Sequence, residues 1–159
     1  MPPHEKRTFV FHVLFRKEVG MKTLKAVAVA VLILTGLSTS ADDSNAVAQA
    51  QVAAKSWLAL TDAARYGQSW EDAASFFKGA VTKADWEKAV KGVRSPLGAM
   101  KARKVKSATF TRSLPGAPDG EYVVIQFETK FENKAFAIET VTPMHDKDGT
   151  WRVSGYFVK

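Results

Sequence analysis

From residue 46 onward, apolar side chains return every three or four positions: Ala50, Ala53, Ala54, Trp57, Leu60 or Thr61, and Ala64. That spacing predicts a helix from about Ser44 to Tyr66 with one buried, alanine-rich face. Asp43 or Ser44 would cap its start and Gly67 would stop it. Ser69-Trp70-Glu71-Asp72 places a hydroxyl three residues ahead of an acid, which predicts a short capped helix through Phe77. Thr82 and Asp85 repeat the device for a third helix that buries Trp86, Ala89, Val90 and Val93 and stops at Ser95-Pro96, because the residue before proline avoids helical angles.

After Gly98 the period changes from about 3.6 to two. A basic segment from Lys101 to Leu114 leads into the turn Pro115-Gly116-Ala117-Pro118-Asp119-Gly120. Beyond it Val123, Ile125, Phe127, Thr129 and Phe131 alternate with Tyr122, Val124, Gln126, Glu128 and Lys130, so one face is core and the other mixed. Glu132-Asn133-Lys134 connects to a strand from Ala135 to Met144, and Asp146-Lys147-Asp148-Gly149 turns into Trp151–Val158. Helices followed by a four-stranded antiparallel meander predict an α+β fold. By apolarity, Phe136 and Ile138 are expected to face the helices, with Glu139 outward. On the last strand Trp151, Val153, Gly155 and Phe157 are expected inward and Arg152, Ser154, Tyr156 and Val158 outward, barring a bulge that would reverse the parity.

The beginning of the chain reads differently. Met21-Lys22-Thr23-Leu24-Lys25 precedes an uncharged apolar run from Ala26 to Leu37 and the small residues Ser38-Thr39-Ser40-Ala41, the layout of a signal peptide. Cleavage is expected after Ala41, with Ala48 and Ala50 as later alternatives. The run is well short of the roughly 20 residues a spanning helix needs, so no stable membrane span is expected once the leader is removed. Lys17-Glu18-Val19-Gly20 can be encoded by codons that spell a ribosome-binding site, so residues 1–20 are expected to be a non-native upstream extension and Met21 the start. The organisation is then extension 1–20, signal peptide 21–41 and a single domain 42–159, bound for the periplasm or the exterior.

Removing the leader alters the charge picture. Of 23 Lys and Arg and 16 Asp and Glu, residues 1–41 hold six and two, leaving 17 and 14 and a net charge of +3 rather than +7. A nucleic-acid partner is therefore not expected. The densest basic stretch, Lys101, Arg103, Lys104 and Lys106, suits an edge strand guarded against sheet-to-sheet pairing, or contact with anionic lipid, cell-wall polymer or an acidic partner.

Little in the domain points to catalysis. Cysteine is absent, which excludes disulfides, thiolate ligands and a lipidated cysteine. His145 is the one histidine after residue 41, so paired imidazoles are not available and no metal or other cofactor is expected. A calcium loop opened at Asp146 would need its bidentate glutamate where Phe157 stands. No serine lies in a G-x-S-x-G elbow, and no glycine-rich phosphate loop occurs. The expectation is a non-enzymatic binding module with no catalytic residues. It would use the outer sheet face, through Tyr122, Glu128, Arg152 and Tyr156, to meet a protein, an envelope component, a small ligand or a second copy of itself. The alternatives are a structural envelope protein, or a small-pocket isomerase or hydratase using Glu128, Glu139, Tyr122 or His145 as acid or base.

Several segments follow one another in order: Trp57-Leu58-Ala59-Leu60, Tyr66 with Ser69-Trp70, Ser95-Pro96-Leu97-Gly98-Ala99, Pro115 to Tyr122, and Trp151-Arg152-Val153-Ser154-Gly155-Tyr156. They resemble the domain of unknown function 4019 family of bacterial exported proteins, from Ala46 to Lys159. That resemblance brings no activity. It implies a fold similar to the cone of nuclear transport factor 2 and ketosteroid isomerase, in which a curved sheet wraps helices around a pocket.

Overall fold

A computed structural model describes residues 37–159. The expected upstream extension (1–20) and the expected signal peptide (21–41) lie outside the described residues, apart from 37–41. Helix α1 spans Leu37–Asp62, α2 Tyr66–Glu71, α3 Ser75–Ala80 and α4 Lys83–Arg94, and a 3-10 turn covers Ser95–Leu97. Strands β1 (Met100–Thr111), β2 (Tyr122–Phe131), β3 (Ala137–His145) and β4 (Trp151–Val158) form one antiparallel sheet in the order β1-β2-β3-β4. Helices followed by a meander make an α+β fold, as the change of period predicts.

The helices depart from expectation at their ends. Helix α1 runs through Asp43 and Ser44, so neither begins it. It stops before Gly67, because Ala64 takes the left-handed conformation (φ 56°). Arg65 N–H then donates to the Leu60 carbonyl at 2.8 Å and Ala64 N–H to that of Thr61 at 3.1 Å, closing a Schellman-type end. The expected helix from Ser69 to Phe77 is two helices, α2 and α3. Their linker is held to the sheet where Ala74 N–H donates to the Val153 carbonyl at 2.9 Å. Thr82 does cap α4, accepting from Asp85 N–H at 3.2 Å.

Ser69, expected at a helix start, lies inside α2 and fully buried. The Trp57 indole donates to its carbonyl at 2.7 Å, and the Trp86 indole to its hydroxyl oxygen at 2.9 Å. These two rings meet Phe77 and Tyr156 at centroid separations of 5.0 to 6.4 Å. The aromatic cluster, with Leu58, Val123, Ile125 and Val141, fills the space between helices and sheet.

Strand β2 faces as expected, with Val123, Ile125, Phe127 and Thr129 toward the helices. Strand β3 does not. Phe127 pairs with Glu139 and Ile125 with Val141, and directly opposed residues of an antiparallel pair point to the same face. Glu139 and Val141 therefore point inward, whereas Ile138, opposite Glu128, belongs to the outer face, and Phe136 precedes the strand and is exposed. On β4 the register slips between Thr142 and Pro143, leaving Ser154 without a partner. Proline has no N–H to give the ladder, and the Ser154 hydroxyl donates to the Thr142 carbonyl at 2.8 Å instead. This bulge keeps Trp151 and Val153 inward yet also turns Tyr156 and Val158 inward. Tyr156 is thus a core residue and not part of an outer face.

Candidate functional site

Six elements each send one polar side chain to a common point beneath the sheet. Asp62 is the last residue of α1 and Arg94 the last of α4, where a cation suits the negative end of the helix. Arg103 comes from β1, Thr129 from β2, Glu139 from β3 and Tyr156 from β4. Glu139 is 0 % exposed. Its Oε1 accepts from Arg94 Nη1 at 2.9 Å and from the Tyr156 hydroxyl at 2.6 Å. Its Oε2 accepts from Arg103 Nε at 2.6 Å and from the Thr129 hydroxyl at 2.6 Å. Asp62 closes the circuit, taking Arg103 through both oxygens at 2.7 and 2.9 Å and Arg94 at 2.6 Å. The Arg94 guanidinium also lies 4.6 Å from the centre of the Phe131 ring.

Two cations and two anions balance. Burial alone would raise the Asp62 carboxyl, but Arg103 and Arg94 outweigh it and hold the group below the usual carboxylate range. Burial, reinforced by Glu139, pushes the Tyr156 phenol well above its ordinary value, so it stays neutral and donates. Burial works against the charge of both guanidiniums, yet Tyr156, Glu139 and Asp62 outweigh it at Arg94 and Asp62 and Glu139 outweigh it at Arg103, so both stay protonated. No buried side-chain donor or acceptor among the described residues lacks a partner. A proton-transfer catalyst needs a lone pair or proton free for substrate. Glu139 accepts four hydrogen bonds and has none to spare.

The residues expected to form an outer binding face are dispersed. Tyr122 is buried with Ala74 and Met144, and its hydroxyl donates to the Pro118 carbonyl at 2.7 Å, fastening the turn that precedes β2. Glu128 does stand on the outer face, where Lys104 pairs with it at 2.7 Å and lowers its carboxyl. Arg152 is half-buried and bridges Asp148 at 2.7 Å and Asp146 at 3.6 Å. Tyr156 belongs to the buried cluster. His145 ends β3, with Nδ1 3.3 Å from Glu121 and its ring against Trp151. Arg103 likewise leaves the basic stretch of β1 for the interior.

Asp146 and Asp148 serve the β3–β4 turn. Gly149, at φ 81°, donates to the Asp146 carbonyl at 3.0 Å. The Asp146 carboxylate accepts from Ser75 N–H at 2.8 Å and from its hydroxyl at 3.0 Å, capping α3 from across the fold. Beside this turn lies a groove of about 740 Å³, lined by Trp57, Leu60, Asp72, Lys78, Trp151 and Arg152 among others. Glu139 is not among its lining residues. Among the described residues, no group of three His, Asp or Glu is placed to hold a metal ion.

The charged cluster eluded the sequence because Glu139 looked outward and Arg103 looked like one more edge cation. One signal was present: counting back through the hairpin from inward Phe131 opposes Ala135, which puts Ala137 and Glu139 inward too.

The family model described as "Protein of unknown function (DUF4019)" matches residues 53–156, which takes in the end of α1 and every element after it through most of β4. No curated protein and no solved structure matches the chain.

Proposed function

The chain belongs to the DUF4019 family, and from that starting point we propose that it is an exported, non-enzymatic interaction module. The leader expected at residues 21–41 would carry it across the membrane, and cleavage after Ala41 would leave residues 42–159 in the periplasm or outside the cell. The layered helices and meander would form a compact variant of the nuclear transport factor 2 cone, with its interior occupied by side chains. Binding would use surface features: the groove beside the β3–β4 turn, and the outer sheet face, where the half-buried Val124 and Phe157 lie outside both apolar cores and would suit a second copy or another protein.

One observation carries this reading. The sole inward carboxylate of the sheet, Glu139, has both oxygens fully engaged by Arg94, Tyr156, Arg103 and Thr129. Catalytic carboxylates are commonly held at a cost, and replacing them tends to stabilise the fold. A charge held for structure behaves oppositely, since removing one partner strands two buried cations. Glu139→Gln is expected to lower unfolding free energy by roughly 3–5 kcal/mol in urea denaturation. A variant as stable as the parent, or more stable, would favour the small-pocket isomerase or hydratase reading instead.

A further inference from the structure

From residue 42 onward the chain carries 17 basic and 14 acidic side chains, an excess of three. One corner accounts for all of it. Lys101, Lys104 and Lys106 of β1, Lys130 of β2 and Lys134 of the β2–β3 hairpin gather there with Glu128 and Glu132, five cations against two anions. Lys104 and Lys101 pair with Glu128 and Glu132 at 2.7 and 3.6 Å, through exposed contacts of little strength. Among the described residues, no carboxylate comes within 4.0 Å of the Lys106, Lys130 or Lys134 ammonium, and Lys106 acts on Glu128 only from a distance. The remaining surface is charge-balanced.

An apolar side chain stands at the same corner. Phe136 is 61 % exposed, and among the described residues every other aromatic is buried or half-buried. It shares a shallow groove of about 250 Å³ with Ala102, Lys104, Lys130 and Ala135. Residues 132–136 are all exposed, so the hairpin is a protruding tip. The tip is nonetheless fixed: Glu132 and Asn133 N–H donate to the Ala99 and Leu97 carbonyls at 2.8 and 2.9 Å, and the Asn133 side chain donates to the Pro96 carbonyl at 3.2 Å.

We propose that this corner docks on the surface of an anionic lipid bilayer, with Phe136 entering the boundary between headgroups and acyl chains and the surrounding lysines meeting lipid phosphates. An aromatic residue on a rigid tip ringed by lysines combines the two attractions that bind peripheral proteins to such surfaces, apolar insertion and cation–phosphate attraction. A protein partner would be better served by an apolar pocket or a cluster of anchors, and a soluble polyanion would gain nothing from the phenylalanine. On an exported domain the contact would keep the molecule at the envelope once its leader is gone. The lipid contact would form whether or not the domain is an enzyme.

The chain has no cysteine, so Ala135→Cys in the full-length protein accepts one environment-sensitive fluorophore at the tip, and Val52→Cys, exposed on α1, provides the control. Vesicles of phosphatidylglycerol are expected to blue-shift the tip probe, but vesicles of phosphatidylcholine are not, and 0.5 M salt should reverse the shift. Adding Lys130→Gln and Lys134→Gln should raise the lipid concentration for half-saturation about 25-fold, at roughly fivefold per lysine. Phe136→Ser should remove the blue shift even where co-sedimentation persists. These side chains are exposed, so an unchanged melting temperature will show that the variants fold. No shift with phosphatidylglycerol, an equal shift with phosphatidylcholine, or saturation unaffected by the lysine changes would overturn the proposal. Binding to soluble polyphosphate without binding to vesicles would overturn it in favour of a polyanion.

Discussion

Ala64 occupies a backbone position that an alanine holds at a cost. Its φ of 56° lies in the left-handed region, where Cβ crowds the neighbouring carbonyl. Both hydrogen bonds of the α1 terminus depend on that conformation. Ala64→Gly should therefore stabilise the protein by about 1 kcal/mol, seen as a higher urea midpoint at unchanged slope. This stop could not be read in advance, since alanine is the strongest helix former and Gly67 stood close by as a better candidate. Ser69 misled in a similar way. Its hydroxyl and the acid three residues on match a capping box, but two indole N–H groups within reach made it worth more as a buried acceptor.

Among the elements, period and turn chemistry were enough to find α4, β2, the β3–β4 turn and the meander. What they did not supply was facing. An apolar residue beside a hairpin need not be the inward one, as Phe136 shows, and Pro143 forces a bulge whose effect falls on the partner strand at Ser154. The close approach of the β2–β3 hairpin to the chain entering β1 depends on Gly98. Its φ is 72°, and a Cβ there would lie 2.9 Å from the Glu132 Cβ. Gly98→Ala should cost about 2–4 kcal/mol through backbone strain and overlap, measurable as a lowered thermal midpoint.

For the molecule as a whole, the buried charges set the pH range of stability. Asp62 has a lowered pKa in the fold, so its contribution is complete above its unfolded value, near 4, and is lost as pH falls through the folded one. Tyr156 has a raised pKa, so its contribution is complete below about 10 and is lost as pH rises through the folded value. Unfolding free energy measured against pH should show a plateau with both shoulders. Asp62→Asn should flatten the acid shoulder and Tyr156→Phe the alkaline one, and shoulders unchanged by these substitutions would contradict the assignment. The fold class and family were recoverable from pattern and motif. The cluster was not, because it is assembled from single residues of six separated elements, each unremarkable in its own segment.

The meeting of those six elements at Glu139 has a further consequence. Apart from the Thr129–Glu139 bond across one hairpin, none of the ties is local: Arg94 and Glu139 are 45 positions apart in the chain, Arg94 and Tyr156 62 apart. Until the last strand arrives, two guanidiniums and a carboxylate are drawn out of water without their full set of partners, which disfavours every partly assembled arrangement. The penalty falls on intermediates and vanishes in the finished molecule, so the domain should assemble and come apart as one piece, with no helix or strand leaving alone.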